Sequence, residues 1–243
     1  MQVILHVKLA VLQVKGIRMI SNEASRIWLF DYDLTLYGED ERFVLDSLDK
    51  RIALFVQKTL NVNLEEAQKV RKEYWAKYGT TLAGLQALHG VQPNDFFDFI
   101  HVRDNLIFPR NAPQKRQLLL NLKGKRYVFT NARRDWSDAG LANMGISDCF
   151  DGVMDLLSMH WEGKPSGNAY LHMEHFLETE GVFKKGEDPS RIILLEDSIA
   201  NLAAAHHRGW TTILVSAVIQ EVPSWVNYHI TDITKLMETV DAV

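Results

Sequence analysis

Short apolar runs alternate with helical stretches over most of the chain. The first clear run, RIWLF, begins at Arg26 and stops directly before the acidic segment DYD. Four comparable runs rich in Val, Ile and Leu follow, at residues 125–132, 150–157, 191–198 and 211–216. Short buried strands separated by helices need crossover connections and form a parallel sheet. The pattern therefore predicts an α/β fold with a Rossmann-like parallel sheet core.

A long insert separates the first of these runs from the second. It is far longer than a connecting loop, and its periodicity indicates helices. The predicted helices are residues 47–60, 64–78, 80–89 and 94–101. Gly79 and Gly90 are natural helix stops, and Pro93 is favoured near a helix start. We therefore predict a helical cap domain, inserted after the first core strand.

The same pattern divides the chain into three parts. They are a leader at residues 1–25, a core at residues 26–38 and 110–243, and the cap at residues 39–109. Lysines interrupt the apolar run of the leader, which is shorter than the roughly 20 apolar residues that span a membrane. We expect no membrane segment. The leader is either an additional strand or amphipathic piece, or translation starts at Met19.

Composition and charge exclude several classes of partner. The chain has 243 residues, a formal net charge of -4 and a pI near 6.1. Without a basic excess it is unsuited to neutralising a polynucleotide backbone, so we expect no nucleic-acid partner. The one cysteine, Cys149, cannot form an internal disulfide, which favours a cytoplasmic location. The sequence leaves the oligomeric state open.

Two carboxylates, Asp31 and Asp33, follow the first apolar run. If the extended conformation persists, residues two apart point the same way, so the two carboxylates are expected to crowd each other. Unless a cation intervenes, mutual repulsion would then raise the pKa of one of them, which suits one for an ionised role and the other for carrying a proton. Taken alone, the pattern fits a solvated turn equally well.

Polar residues also follow other predicted strands. Thr130 and Asn131 offer a hydroxyl, an amide and backbone N–H groups to a phosphate. Lys164, in GKPSGNAY, can supply positive charge to a phosphate and to a carboxylate. Glu196 and Asp197 offer the hard oxygen ligands that Mg²⁺ prefers. Because ligands bind beyond the carboxyl ends of parallel strands, we expect these groups to meet at one edge.

Four segments resemble the motifs of haloacid dehalogenase phosphatases. They are WLFDYDLTLY, FTNA, GKPS and LLEDSIANL. The resemblance implies that Asp31 is the nucleophile and Asp33 the general acid and base. It also implies that Thr130 and Lys164 contact the phosphate, and that Asp197 binds metal. The expected Mg²⁺ ligands are Asp31, Asp33 through its backbone carbonyl, Asp197 and Glu196.

The insert resembles one group within this superfamily, the pyrimidine 5'-nucleotidases, through YWAKYGTTLAGL and FIH. The expected activity is therefore Mg²⁺-dependent hydrolysis of a small phosphate ester, a nucleoside 5'-monophosphate, through an aspartyl-phosphate. Three positions depart from the common pattern. Trp136 stands where many relatives carry a smaller or imidazole side chain, Gly167 replaces a second proline, and Glu196 replaces an aspartate.

Cap residues are expected to select the substrate. The candidates are Tyr74, Tyr78, Thr80 and Thr81, although two tyrosines four apart on a helix more often pack together. A phosphatase for sugar phosphates or phosphoglycolate would share all four motifs and is the alternative. A phospho-accepting receiver module and a silent binding protein belong to other classes. The length of the insert argues against the first, and the intact catalytic positions argue against the second.

Overall fold

A parallel six-stranded sheet lies at the centre of the protein. The computed structural model describes residues 26–102, 106–218 and 221–240. The strands are β1 (Ile27–Phe30), β2 (Lys125–Phe129), β3 (Gly152–Met154), β4 (Ile192–Glu196), β5 (Thr211–Val215) and β6 (Tyr228–Ile230). Their order across the sheet is β3-β2-β1-β4-β5-β6. The predicted α/β class and parallel sheet are confirmed.

The central strand β1 carries the first catalytic candidate to the edge of the sheet. It pairs with β2 on one side and with β4 on the other, so that Phe30 lies opposite Val128 and Leu195. Strands β1, β4 and β5 are buried at every position, as expected for strands covered on both faces. The apolar runs of the sequence correspond to this burial.

The edge strand β6 was absent from the predicted elements. It has only three residues, YHI, and its middle residue His229 is exposed. It pairs with β5 through Ile213 opposite Tyr228 and Val215 opposite Ile230. A strand this short, with one buried position, produces no apolar run, so the hydrophobic pattern could not reveal it.

Five of the described α-helices lie between β1 and β2, and we call the first four the cap helices. They are α1 (Phe43–Leu60), α2 (Leu64–Tyr78), α3 (Thr81–His89) and α4 (Pro93–Ile100). Asn63 caps α2 and Thr80 caps α3, each accepting a backbone N–H three residues on. Gly79 and Gly90 end the same two helices with φ of 82° and 65°. The predicted helical insert is confirmed.

Five further helices accompany the sheet. They are α5 (Pro113–Asn121), α6 (Arg134–Met144), α7 (Gly167–Thr179), α8 (Ile199–His207) and α9 (Leu236–Val240). Within the described residues, no helix combines the length and the apolar character needed to cross a bilayer. The leader and Met19 lie outside the described residues. The domain boundaries at residues 39 and 110 and the cytoplasmic location stay predictions.

Helix α6 packs closely on the turn after β1, and a glycine makes this contact possible. A Cβ added at Gly140 would lie 1.5 Å from the hydroxyl oxygen of Tyr32. Tyr32 is fully buried, and its hydroxyl has no hydrogen-bond partner in the described part of the chain. A methyl group at position 140 would therefore require the Tyr32 ring or helix α6 to shift.

We expect Gly140→Ala to destabilise the fold by about 3 kcal/mol or more, because overpacking forces the tyrosine and the helix apart. Urea unfolding of the single variant, of Tyr32→Phe and of the double variant measures the coupling between the two positions. Tyr32→Phe removes the closest atom, so the double variant should recover part of the loss. Equal losses in both backgrounds would show that the clash lies elsewhere.

Candidate active site

The chain turns sharply directly after β1. The backbone N–H of Asp31 still donates to the carbonyl of Leu195 on β4, at 3.0 Å. Residues Tyr32–Leu36 then form a wide helical turn in which Leu34 has a φ of 60°. The turn brings the Thr35 hydroxyl back toward the carboxylate, 3.4 Å from Asp31 Oδ2. Asp31 therefore stands at the edge of the sheet with its carboxylate fixed.

A buried lysine bridges two carboxylates at this edge. Lys164 Nζ lies 2.8 Å from Asp31 Oδ1, 2.6 Å from Glu196 Oε2 and 2.7 Å from the carbonyl oxygen of Phe129. Its side chain has no exposed surface. Although burial opposes the charged form, the carboxylates of Asp31 and Glu196 raise the pKa of Lys164 well above its usual value. The ammonium group is therefore a fixed positive charge.

The segment after β2 holds this lysine in place. The Asn131 side chain accepts from the backbone N–H of Lys164 at 2.7 Å and donates to its carbonyl at 2.8 Å. Thr130 is buried, with its hydroxyl accepting from the N–H of Ala132 at 3.0 Å. The structure thus gives the Asn131 side chain a role in positioning Lys164. Contact of Thr130 and Asn131 with phosphate stays a prediction.

Asp33 faces a different set of partners. Its Oδ1 accepts from the Tyr37 hydroxyl at 2.6 Å and from Trp136 Nε1 at 3.0 Å. Burial raises the pKa of Asp33, and these two hydrogen bonds counteract only part of that effect. A raised pKa suits a group that must begin a reaction protonated.

Repulsion between Asp31 and Asp33 is only a minor cause of the carboxylate pKa shifts. The sequence predicted that mutual repulsion would raise one of the two pKa values, because an extended chain would point both side chains the same way. Burial is instead the largest cause for Asp31, followed by the charge of Glu196, and Asp33 contributes least. The turn after β1 separates the two side chains, since the Asp31 carboxylate bonds to Lys164 and the Asp33 carboxylate bonds to Trp136.

Three carboxylates form a potential metal site. Oxygen atoms of Asp31, Glu196 and Asp197 all lie within 4.8 Å of one another. Burial, followed by the charge of Glu196, raises the pKa of Asp31 to about 8 and that of Asp197 to about 10. Lys164 alone does not balance this charge. An all-oxygen cluster short of positive charge fits Mg²⁺. The carboxylate of Asp33 lies outside the cluster, which leaves only its backbone carbonyl as a potential ligand.

A comparison with protein families identifies the family of this chain. The family model described as haloacid dehalogenase-like hydrolase matches residues 26–209, which is more than half of the chain. The chain belongs to the haloacid dehalogenase-like hydrolases. Phosphate metabolism protein 8 of Saccharomyces cerevisiae is 25% identical over 194 residues, which cover 75% of this chain and 54% of that protein. The chain thus spans about half the length of this curated relative.

Solved structures support the same fold. A HAD phosphatase from Thermococcus onnurineus has a TM-score of 0.60 at 16% identity, covering 88% of this hydrolase and 96% of that chain. A "predicted phosphoglycolate phosphatase" from Haemophilus somnus has a TM-score of 0.59 at 20% identity, with the same coverage. An L-2-haloacid dehalogenase from Xanthobacter autotrophicus has a TM-score of 0.54 at 17% identity, covering 88% and 97%. At these identities the likeness shows the fold alone.

The raised carboxylate pKa values of this hydrolase predict how its stability depends on pH without metal. Asp31 and Asp197 hold protons in the folded state that the unfolded chain releases above its ordinary carboxyl pKa of 3.8. The folded state therefore binds more protons, and the free energy of unfolding falls as the pH rises toward about 8 to 10.

In EDTA we expect a lower Tm at about pH 8.5 than at about pH 6, and Mg²⁺ should raise Tm more at the higher pH, where fewer protons compete for the oxygens. Thermal melts at both pH values, with EDTA, Mg²⁺ or K⁺, measure this. A Mg²⁺ effect that is largest at the lower pH would contradict the assigned site.

The four predicted specificity residues lie where α2 meets α3. The Tyr74 hydroxyl is 2.7 Å from His89 Nε2, and its ring packs edge-on against Tyr78. Thr80 caps α3, and the Thr81 hydroxyl donates to the carbonyl of Arg71 at 3.3 Å. These contacts hold the cap helices together. A role of the four residues in substrate choice stays a prediction.

Residues nearer the carboxylates received no role from the sequence. The Tyr37 hydroxyl donates to Asp33. The spacing of four residues between them was the one feature of the sequence that could have indicated this contact. Asp135 and Arg133 lie beside Trp136 and contact the end of the cap helices through His101 and Asp98. A pocket of about 190 Å³ adjoins the carboxylates and is lined by Asp197 together with Leu34, Gly38, Glu39, residues 215–218 and Thr231.

Proposed function

We propose that this chain is a Mg²⁺-dependent phosphomonoester hydrolase that acts through an aspartyl-phosphate on Asp31. The observation that carries the proposal is the buried Lys164, which bridges Asp31 and Glu196 beside a three-carboxylate cluster. A carboxylate nucleophile needs this compensation to approach a phosphate dianion. The separately held Asp33 favours a phosphatase over a dehalogenase, which needs no acid to protonate its leaving group.

The reaction consists of two displacements at phosphorus. Asp31 forms a bond to phosphorus while the ester P–O bond breaks, and Asp33 gives its proton to the departing alkoxide. Water then attacks the aspartyl-phosphate, its proton passes to Asp33, and phosphate and free Asp31 are released. Lys164 and Thr35 hold the Asp31 carboxylate in both steps, at 2.8 Å and 3.4 Å.

The metal site fits Mg²⁺ in its donor set. Asp31, Asp197 and the backbone carbonyl of Asp33 would hold the ion, and Glu196 would support them directly or through water. When bound, Mg²⁺ supplies charge neutralisation for the incoming phosphate dianion. In the structure, the Glu196 carboxylate accepts a hydrogen bond from Lys164 Nζ and another from the backbone N–H of Ser198 at 3.1 Å. Glu196 therefore also fixes the loop that carries Asp197.

The substrate is inferred to be a nucleoside 5'-monophosphate, with a pyrimidine base preferred. The support is the resemblance of YWAKYGTTLAGL and FIH in the insert to the pyrimidine 5'-nucleotidase group. Phosphoglycolate or a sugar phosphate is the second candidate, because a structure described as a "predicted phosphoglycolate phosphatase" shares the fold. The net charge of -4 argues against a polynucleotide substrate.

Phosphate release with Mg²⁺ should be measured over UMP, CMP, AMP, GMP, a sugar phosphate and phosphoglycolate, with Asp31→Asn as the background control. We expect UMP or CMP to give the highest kcat/KM. A purine nucleotide or phosphoglycolate in first place would refute the pyrimidine preference and leave the phosphatase assignment standing. No release from any ester by wild-type protein would refute the phosphatase assignment itself.

A further inference from the structure

Both donors to the Asp33 carboxyl converge on one oxygen. The Tyr37 hydroxyl and Trp136 Nε1–H both donate to Oδ1, at 2.6 Å and 3.0 Å. Oδ2 accepts no hydrogen bond from the described part of the chain. An oxygen that accepts two hydrogen bonds is a poor site for a proton, so the acid proton belongs on the other oxygen. The donors therefore distinguish two otherwise equivalent atoms.

Trp136 is held so tightly that it can fix this geometry. It is 1% exposed, and its indole stacks on the His101 ring with centroids 5.8 Å apart and planes 20° apart. Phe108 packs against it at 5.2 Å, and Tyr32 meets it edge-on at 6.4 Å. With rings on several sides, the indole cannot turn Nε1 away from Asp33 without repacking its neighbours.

His101 connects this indole to the end of the cap helices. It follows α4 directly, and its Nδ1 lies 2.9 Å from Oδ1 of Asp135, the residue before Trp136. Arg133 donates to both Asp135 oxygens and reaches Asp98 on α4 at 2.8 Å. Burial acts to raise the pKa of Asp135, but the hydrogen bonds and charges of Arg133 and His101 outweigh it, so that the pKa is lowered. The end of helix α4 is thus attached, through His101 and Asp98, to Asp135 and Arg133, which precede Trp136 in the chain.

We propose that Trp136 is a positioning residue for Asp33, clamped by His101 at the end of α4, which fixes Oδ1 and leaves Oδ2 facing the leaving oxygen of the substrate. The inference rests on the proposed function, in which Asp33 protonates the leaving group. The proton leaves Oδ2 for the departing alkoxide and is replaced there from the attacking water. The stack with His101 makes the orientation of Asp33 depend on the position of the cap helices.

Two measurements test this, and the first needs no activity. The indole N–H resonance of Trp136, among six tryptophans, is assigned by its loss in Trp136→Phe. In Asp33→Ala this resonance should shift and exchange faster with solvent, because its acceptor is gone, and His101→Ala should speed its exchange. The Trp161 indole, which stacks on Phe97 of α4, should change little in Asp33→Ala and is the internal control for that variant. A Trp136 resonance indifferent to Asp33→Ala would overturn the inference.

The second measurement compares leaving groups. Trp136→Phe retains a ring for His101 but loses the N–H. Its kcat/KM should fall about tenfold more for a nucleoside monophosphate, whose alkoxide needs protonation, than for p-nitrophenyl phosphate, whose phenolate does not. In the Asp33→Asn background the same substitution should add no selective loss. Trp161→Phe, the matched indole control, should leave the ratio between the two esters unchanged.

The outcomes separate this inference from the proposed function. An active wild-type protein in which Trp136→Phe lowers both esters equally would overturn the positioning role and leave the phosphatase assignment intact. A selective loss that persists undiminished in Asp33→Asn would also overturn it, because the indole would then act on another group. A wild-type protein that cleaves neither ester would refute the proposed function, and the catalytic part of this inference with it.

Discussion

Asp31→Asn should reduce Mg²⁺-dependent phosphate release by at least about 10⁴-fold, because the amide cannot attack phosphorus. The replacement has the same shape, and its oxygen still accepts from Lys164, so the fold should survive. Initial rates on the best ester, together with a thermal melt, measure both properties.

Asp155→Asn provides a matched control for this variant. Asp155 is a buried carboxylate that follows β3 as Asp31 follows β1, but it accepts from Arg134 and Ser158 rather than from Lys164. Its kcat/KM should stay close to that of the wild type. Substantial Mg²⁺-dependent turnover by Asp31→Asn would mean that another group is the nucleophile.

Lys164→Met should damage both stability and turnover. It keeps the apolar stem but leaves Asp31 and Glu196 as buried carboxylates without a cation, and the Phe129 carbonyl without its donor. Removing one partner of a buried ion pair costs about 3–5 kcal/mol. We also expect turnover to fall by about 10²-fold or more, since a fixed charge at the transition state is lost. Urea unfolding and initial rates measure the two effects.

The pH dependence of Lys164→Met tests the electrostatic cause. Without the lysine the two carboxylates bind protons more tightly in the folded state, so the stability loss should be smaller at about pH 5 than at about pH 8. Lys125→Met is the control. Lys125 pairs with Asp151 at the first residue of β2, where its side chain is about half exposed and an ion pair contributes about 0–1 kcal/mol. Equal losses for the two lysine variants would contradict the bridging role.

Much of the core followed from local pattern. The apolar runs that became β1, β4 and β5 are buried at every position, which is why their hydrophobicity alone revealed them. The ends of helices α2 and α3 were predictable because Gly79 and Gly90 stop them in positive-φ conformations that favour glycine. Strand β6 was not predictable, since a three-residue edge strand has too little buried surface to produce a periodic hydrophobic pattern.

The site was predictable where it depends on topology. Parallel strands bring their carboxyl ends to one edge, so Asp31, Lys164 and Glu196 could be placed together from sequence order. The contact between Trp136 and Asp33 could not be predicted, because it joins residues 103 positions apart through side-chain packing. The sequence marked Trp136 as unusual without indicating its partner. The main cause of the raised carboxylate pKa values could not be predicted either, because it depends on burial and on the turn after β1.

The covalent intermediate is the central claim, and one measurement addresses it directly. Asp33→Asn retains the nucleophile but lacks the acid and base, a loss of about 10²- to 10⁴-fold. With p-nitrophenyl phosphate, whose leaving group needs little protonation, this variant should still be phosphorylated and then hydrolyse slowly. Intact-protein mass spectrometry after acid quench should show one added phosphoryl group, mapped to Asp31 and missing when Asp31 is also replaced by Asn. An adduct on any other residue, or none during demonstrated turnover, would contradict the mechanism.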